Sequence, residues 1–348
     1  MNNSVVFYLP PDSLNEATIY YTDLIRRAFI DLGFSIKDSD QVTNIGDPSC
    51  IVCIRPGDVL KALQKSSPSK IVSWFQGIGP EEYKVLHPGI RGCIGKYYLN
   101  FSEKKALRKS DLCIMVSDSM LKHYEQKYNI HLAHKTVIVP CYNKPIDSQA
   151  FLVEDRYNRP KFVYAGALYE WQCIRETLMI FKEIENKNPA AELTILTGQR
   201  EQAEKLVEEF KLKNVEIDFE PLSTLQDRLQ KYKYGFLLRR DNVVNNVATP
   251  TKMNSYLAAG LVPIYTDVID AFEKYIDLKE FTLKTNLEAK SIESIVQQIL
   301  EFDKREIDSK AFFTVTERIF SHYYDDLQNL KIIKMHFKKL LSIESATV

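Results

Sequence analysis

The stretch "NNVATPTKMNSYLAAGLVPIYT" (residues 245–266) passes from polar to apolar, with one proline before the change and a second after a glycine. Thr249 suits an N-cap, Pro250 a first helical position and Gly260 a C′ terminator, so the spacing predicts a helix of about ten residues followed at once by a strand. The N–H groups of Thr251 and Lys252 stand at the helix start, with the Thr251 hydroxyl and the Lys252 ammonium beside them. Unpaired first-turn N–H groups at the positive end of a helix dipole make an anion site. The strand just before, "YGFLLRR", ends in Arg239 and Arg240, either of which can add a second cation. A diphosphate fits such a set; the plain alternative is a helix capped by Thr249 with Lys252 and Arg240 in solvent.

Outward from this segment, short apolar runs alternate with helical patterns. "SVVFYL", "CIVCI", "KIVSWF", "DLCIMVS" and "KTVIVP" read as strands, and Glu16–Leu32 reads as a helix with Tyr20, Leu24, Ala28 and Leu32 on one stripe. After an aperiodic segment at about residues 141–160, rich in Pro, Asn and Asp, the alternation restarts with "KFVYAG", "ELTILTG", "VEIDF", "YGFLLRR" and "LVPIYT". Strand and helix in strict alternation predict an α/β chain with two doubly wound parallel sheets. The expected organisation is an N-terminal domain over 1–150, a second over 151–318, and a last segment, 319–348. Residues 320, 323, 324, 327, 330, 333, 337 and 340 form one apolar stripe across Ile319–Leu341, suited to packing back on the first domain.

Ligands of doubly wound sheets bind outside the carboxyl ends of the strands. Gly166 after "FVYA", Gly198 after "LTILT" and the Arg239–Arg240 pair therefore mark candidate contacts, although a plain turn explains each glycine alone. The six cysteines are scattered, and Cys50 and Cys53 lie three apart on one strand, where side chains face opposite ways. A reduced, cytoplasmic protein with no zinc or redox site is expected. The opening "MNNSVVFYLPPD" lacks a secretory-signal pattern, and no apolar run is long enough to span a bilayer. Zero net charge, split as +3 over residues 1–150 and −3 over the rest, speaks against nucleic acid. Residues 84–109 nevertheless carry seven basic side chains against Glu103 alone, which suits an anionic partner or a membrane surface as well as a solvated helix face plus loop.

Taken together, these residues carry a resemblance. "LLRRDNVVNNVATPTKMNSYLAAGLVPI" resembles the donor-site segment of bacterial GT-B glycosyltransferases of the family 4 type, where a "PTK…EYLAAGLPV" run follows an "LLR" strand. "KKALRKSDLCIMVSDSMLKHYEQKYN" is similar to the helix, strand and helix that end the acceptor domain in that family, "KTVIVPCYN" to its strand before the linker, and "IVSWFQGIGPEEY" to a loop of polysaccharide-assembly members. The resemblance implies two Rossmann-like domains facing each other across a cleft, with a last helix crossing back to the first. It implies a retaining, metal-independent transfer of a hexose-type sugar from a nucleotide-diphosphate sugar, with no other cofactor, in bacterial surface-polysaccharide assembly. Residues matching or replacing the donor motif are Gly166, Ala167, Gly198, Arg239, Arg240, Pro250, Thr251, Lys252 and Ser255, with Arg240 and Lys252 as the catalytic cations.

The chain departs from the pattern at the family's paired glutamates, which are Val247 and Ser255 here, and at its Arg/Lys pair after the first donor-domain strand, where Ala167 and Gln172 stand. Diphosphate neutralisation then falls on Arg239, Arg240 and Lys252. The acceptor, a saccharide or lipid-linked saccharide, is expected at the loop over residues 74–92, at Gln76, Gly77, Glu81, Glu82, His87 and Arg91, with peripheral membrane contact through residues 84–109. Competing readings are a non-catalytic nucleotide-binding partner of the same fold and a sugar-nucleotide 2-epimerase. A dinucleotide dehydrogenase is disfavoured because no GxGxxG follows the first strand.

Overall fold

The computed structural model describes residues 3–14, 16–65 and 69–343, and the chain divides into two compact units. Unit 1 comprises residues 1–141, 247–249 and 325–348; unit 2 comprises residues 142–246 and 250–324.

In unit 1 the elements run β1 (Ser4–Tyr8), α1 (Glu16–Ile30), β2 (Ser35–Ser39), β3 (Cys50–Cys53), α2 (Pro56–Ala62), β4 (Lys70–Phe75), α3 (Gly79–Leu86), α4 (Ile90–Lys109), β5 (Leu112–Met115), α5 (Asp118–Tyr128) and β6 (Thr136–Ile138). The strands form one parallel sheet in the order β2-β1-β3-β4-β5-β6. Cys50 and Cys53 are both fully buried in β3, and burial pushes both thiols above their usual range, as expected of structural cysteines. The stretch read as a loop over residues 74–92 is a correction: it holds α3 and the start of α4. Its Pro and Gly signals open helices instead of breaking them, since Pro80 lies in the first turn of α3 and Gly89 is the N-cap of α4.

Unit 2 continues with β7 (Lys161–Ala165), α6 (Ile174–Lys187), β8 (Glu192–Leu196), α7 (Arg200–Glu209), β9 (Val215–Asp218), α8 (Leu225–Leu229), β10 (Tyr234–Leu237), α9 (Val243–Val247), α10 (Thr251–Ala258), β11 (Val262–Thr266), α11 (Asp270–Tyr275), β12 (Leu283–Thr285), α12 (Ile292–Asp303) and α13 (Ser309–His322). Its sheet is also parallel, in the order β12-β11-β10-β7-β8-β9. The order reverses between β7 and β10, and in unit 1 between β1 and β3. Such switch points splay the following loops apart and leave a crevice at the strand ends.

The single stripe predicted over Ile319–Leu341 is two helices. α13 ends at His322 and α14 (Asp326–Leu340) starts after Asp325, whose carboxylate caps it by accepting from the Gln328 N–H. α14 belongs to unit 1 and buries Leu330, Ile333 and Phe337 in the same core as α1. Phe337 stacks on Phe29 with ring centroids 3.9 Å apart, and the Tyr20 hydroxyl donates to Asp326 at 2.8 Å.

Candidate functional site

At the switch point of unit 2, the end of β7, the end of β10 and the start of α10 bring Gly166, Arg239 and Lys252 together. α10 starts one residue later than the sequence suggests. Pro250, not Thr249, is the N-cap, and the Thr249 hydroxyl instead accepts from the Cys141 N–H at 3.0 Å. A residue with φ −58° and ψ 127° fits proline at the boundary itself, so Thr251 becomes the first helical residue. Gly260 takes the left-handed conformation expected of a C′ terminator, with φ +70°. Asn254, fully buried in α10, accepts from the Asn143 and Lys144 N–H groups and donates to the Lys144 carbonyl, which fixes the helix to the segment before β7.

Lys252 and Arg239 converge on one neutral atom. Lys252 Nζ donates to Gln172 Oε1 at 2.6 Å and Arg239 Nη2 donates to the same oxygen at 3.0 Å. Arg239 is 4% exposed, and its Nη1 also donates to the Leu238 carbonyl at 2.8 Å. Lys252 Nζ lies 4.1 Å from the centre of the Tyr164 ring, a cation–π contact. Burial first, and the Arg239 charge second, press the Lys252 ammonium well below its ordinary range. Burial likewise lowers Arg239. Among the described residues neither cation has a carboxylate partner. A buried and a half-buried cation sharing a neutral amide oxygen are costly in the absence of an anion, and the site's electrostatics therefore favour one.

Gly166 is what lets Lys252 come in. Its φ is +135°, and a Cβ there would lie 2.7 Å from Lys252 Cε and 2.9 Å from Nζ. Ala167 borders the same turn, its carbonyl accepting from the Tyr164 hydroxyl at 2.5 Å. Gly198 follows β8, one strand further out, where a side chain would meet only the Phe219 ring at 3.9 Å. Ser255 is buried within α10. Arg240 stands apart from this pair: its guanidinium is engaged by Glu176, with Nε 2.9 Å from Oε1, and its side chain is 61% exposed. The residue pattern alone did not select Gln172 as the hub, because a glutamine standing where a cation is expected reads as a loss.

A second site lies at the switch point of unit 1, a cavity of about 450 Å³. Ser13 and Thr18 line it from the β1 side, Arg55 and Asp58 from the β3 side, and Trp74, Gln76 and Gly77 from the end of β4. Of the six predicted acceptor residues, Gln76, Gly77 and Glu82 line this cavity. Glu82 turns back to accept the Ile78 N–H at 3.0 Å, and a side chain at Gly77 would collide with it. Burial, with Glu103 and Glu81 nearby, raises the Glu82 carboxyl despite that bond.

Glu81 is buried in an ion-pair cluster instead, 2.9 Å from Lys127 and 3.2 Å from Lys96, with His123 3.8 Å away. His87 ends α3, its ring 4.3 Å from that of Tyr83, and Arg91 lies exposed on α4. Asp58, which the sequence did not single out, is 4% exposed; Lys61 reaches its Oδ1 at 3.2 Å, while Oδ2 is buried with no hydrogen-bond partner among the described residues.

No protein-family model matches the chain, and no curated protein matches it in sequence. Solved structures do. Sucrose-phosphate synthase from Thermosynechococcus elongatus superposes with a TM-score of 0.71 over 98% of this chain and 100% of that one, at 13% identity. A glycosyltransferase from Rickettsia africae gives 0.67 over 98% and 99%, at 11% identity. TarM from S. aureus, solved in complex with fondaparinux, alpha-GlcNAc-glycerol and UDP, gives 0.59 over 84% of this chain at 13% identity, and the match spans 55% of TarM. The structural neighbours are GT-B glycosyltransferases, and two parallel six-stranded sheets clothed in helices are their fold. No described helix is long and apolar enough to cross a membrane.

Proposed function

We propose that this chain is a glycosyltransferase that moves a hexose-type sugar from a nucleoside-diphosphate sugar to a saccharide or lipid-linked saccharide. The carrying observation is the Arg239–Lys252 pair, Arg239 buried and Lys252 half-buried, without an acid among the described residues, and joined through Gln172 Oε1 at a sheet switch point. Two clustered cations at a helix start suit a diphosphate better than a neutral ligand. UDP, the nucleotide in the TarM complex, is the first to try.

On this reading the donor diphosphate lies against Thr251 and Lys252 at the start of α10, and its phosphate oxygens displace Gln172 Oε1 from both cations. As the bond from the sugar to the β-phosphate lengthens, negative charge grows on the leaving oxygen. Fixed cations and N–H dipoles that await that charge lower the barrier, by about 3–4 kcal/mol per donor in well-studied enzymes. The charge is met by Arg239 and Lys252, so no metal is invoked. Arg240 acts from outside this pair, through Glu176. Retention of configuration follows if the leaving phosphate itself takes the acceptor's proton, and the site offers it no competing carboxylate.

The acceptor belongs in the cavity of unit 1, where Gln76, Glu82 and the unpartnered Asp58 Oδ2 present acceptors for sugar hydroxyls. Bacterial surface-polysaccharide assembly in the cytoplasm is the proposed setting. A slow, acceptor-independent release of nucleoside diphosphate from UDP-sugars, lost in Lys252→Ala, supports transfer chemistry. Tight nucleotide binding with no release from any donor sugar would leave a binding subunit and sink the enzymatic reading.

A further inference from the structure

α4 turns its wrong side to water. Its buried face carries Gly92, Glu103, Ala106 and Leu107, packed against the rest of unit 1. At 100° per residue the opposite face runs Ile90, Ile94, Tyr97 and Phe101, spaced four, three and four apart. These side chains are 81%, 55%, 74% and 65% exposed. Tyr98 beside them and Val85 and Leu86 at the end of α3 are exposed as well. An ordinary surface helix buries such a stripe. A contiguous exposed apolar ridge instead marks a docking surface.

The charges decide what docks. The same helical face continues C-terminally into Lys104, Lys105 and Arg108, and Lys84, Arg91 and Lys109 flank it. Lys96, the remaining cation, is turned to Glu81, and the one acid of the segment, Glu103, is buried and held by Lys127 and Tyr128. The exposed surface of residues 84–109 is therefore apolar, aromatic and uniformly cationic. A second copy of this chain would set cations against cations, which disfavours self-association. Apolar side chains that enter acyl chains, tyrosines at headgroup level and a cationic border fit an anionic bilayer.

We propose that the exposed face of α3 and α4 is a docking surface for anionic lipid bilayers. The proposal is independent of the donor-site reading, because none of these side chains lines the unit 1 cavity or belongs to the Arg239–Lys252 pair.

The test is co-sedimentation of the full chain with vesicles of phosphatidylglycerol and phosphatidylcholine, against vesicles of phosphatidylcholine alone. Binding to the first and little to the second is expected. Lys104→Glu/Lys105→Glu/Arg108→Glu should weaken partitioning by on the order of 100-fold, from roughly a fivefold effect per cation. Ile94→Ser/Tyr97→Ser/Phe101→Ser should weaken it by on the order of 10-fold or more. Both variants change exposed side chains and should melt like the parent. Cys93, exposed on α4, takes an environment-sensitive fluorophore whose emission should shift blue on anionic vesicles only. Equal binding to both vesicle types, binding unmoved by either variant, or lipid-free dimerisation abolished by the apolar variant would each overturn the proposal.

Discussion

Replacing Gln172 by Glu puts a carboxylate oxygen where one neutral oxygen now serves two cations, the buried Arg239 and the half-buried Lys252. With oxygen to nitrogen distances of 2.6 and 3.0 Å, the Coulomb attraction to each cation is roughly 5–6 kcal/mol at an effective dielectric of about 20. Against that total of roughly 12 kcal/mol stand several kcal/mol of carboxylate desolvation and the two charge-assisted bonds the glutamine already makes, about 1.5–3 kcal/mol each, leaving a net stabilisation of about 1–3 kcal/mol. Unit 2 should therefore melt roughly 2–12 °C higher in Gln172→Glu. The same change fills the anion site from within, so a nucleoside diphosphate must compete with a tethered carboxylate and should bind at least about 100-fold more weakly, the equivalent of about 2.7 kcal/mol. Differential scanning calorimetry and isothermal titration on the one variant read both effects. A variant that melts lower, or that binds the nucleotide as well as the parent, would refute the idea that Arg239 and Lys252 are an uncompensated pair awaiting an anion.

Two further outcomes follow, one from this site and one from the Glu81 ion-pair cluster of unit 1. Gly166→Ala forces a non-glycine residue to φ +135° and drives its Cβ into Lys252, so it should cost about 1–3 kcal/mol of stability and weaken nucleotide binding; in a Lys252→Ala background its effect on binding, but not on stability, should vanish. For Glu81, burial would raise the carboxyl, but His123, Lys127 and Lys96 outweigh it and hold it at about 2. A depressed carboxyl stabilises the fold above its unfolded value and loses that contribution as pH falls from about 4.5 toward 2. Urea titrations should thus show Glu81→Gln clearly less stable than the parent at pH 6, with the gap narrowing as pH falls below about 4.5 and nearly closed only at about pH 2 and below.

The strands buried on both faces were legible because a parallel sheet demands near-continuous apolar runs, and β1, β3, β4, β5, β7, β8, β10 and β11 supply them. The edges were not. β2, "SIKDS", is mostly exposed and carries one aliphatic residue, and β12 is three residues long, so neither bears an apolar signature. α3 and α4 hid behind Pro and Gly that begin helices, and α4 in particular carries its apolar residues on the solvent side, which blurs any amphipathic reading. The break between α13 and α14 was invisible because Tyr323 and Tyr324 keep the apolar period through it and only Asp325, as a cap, marks it. In the site, helix-start and strand-end chemistry pointed to Lys252 and to the Arg239–Arg240 pair, with Arg240 rather than Arg239 expected as the catalytic cation. Separating Arg239 from Arg240 needed the fold, since adjacent residues leave a strand end in opposite directions and only one of them meets Gln172. Asp58 and Glu103 were missed for a related reason: they come from different helices, and only the crossing of α2 and α4 beside β4 brings them to one cavity.

The central claim is that Lys252 and Arg239 hold a diphosphate, and titration calorimetry of the parent and of Lys252→Ala with UDP, GDP, ADP, TDP and CMP tests it most directly. At least one nucleoside diphosphate should bind the parent, CMP should bind less well, and Lys252→Ala should lose about 1.5–3 kcal/mol, roughly 10- to 150-fold, as befits a charge-assisted contact. No binding of any nucleoside diphosphate, or equal affinity in Lys252→Ala, would contradict the account.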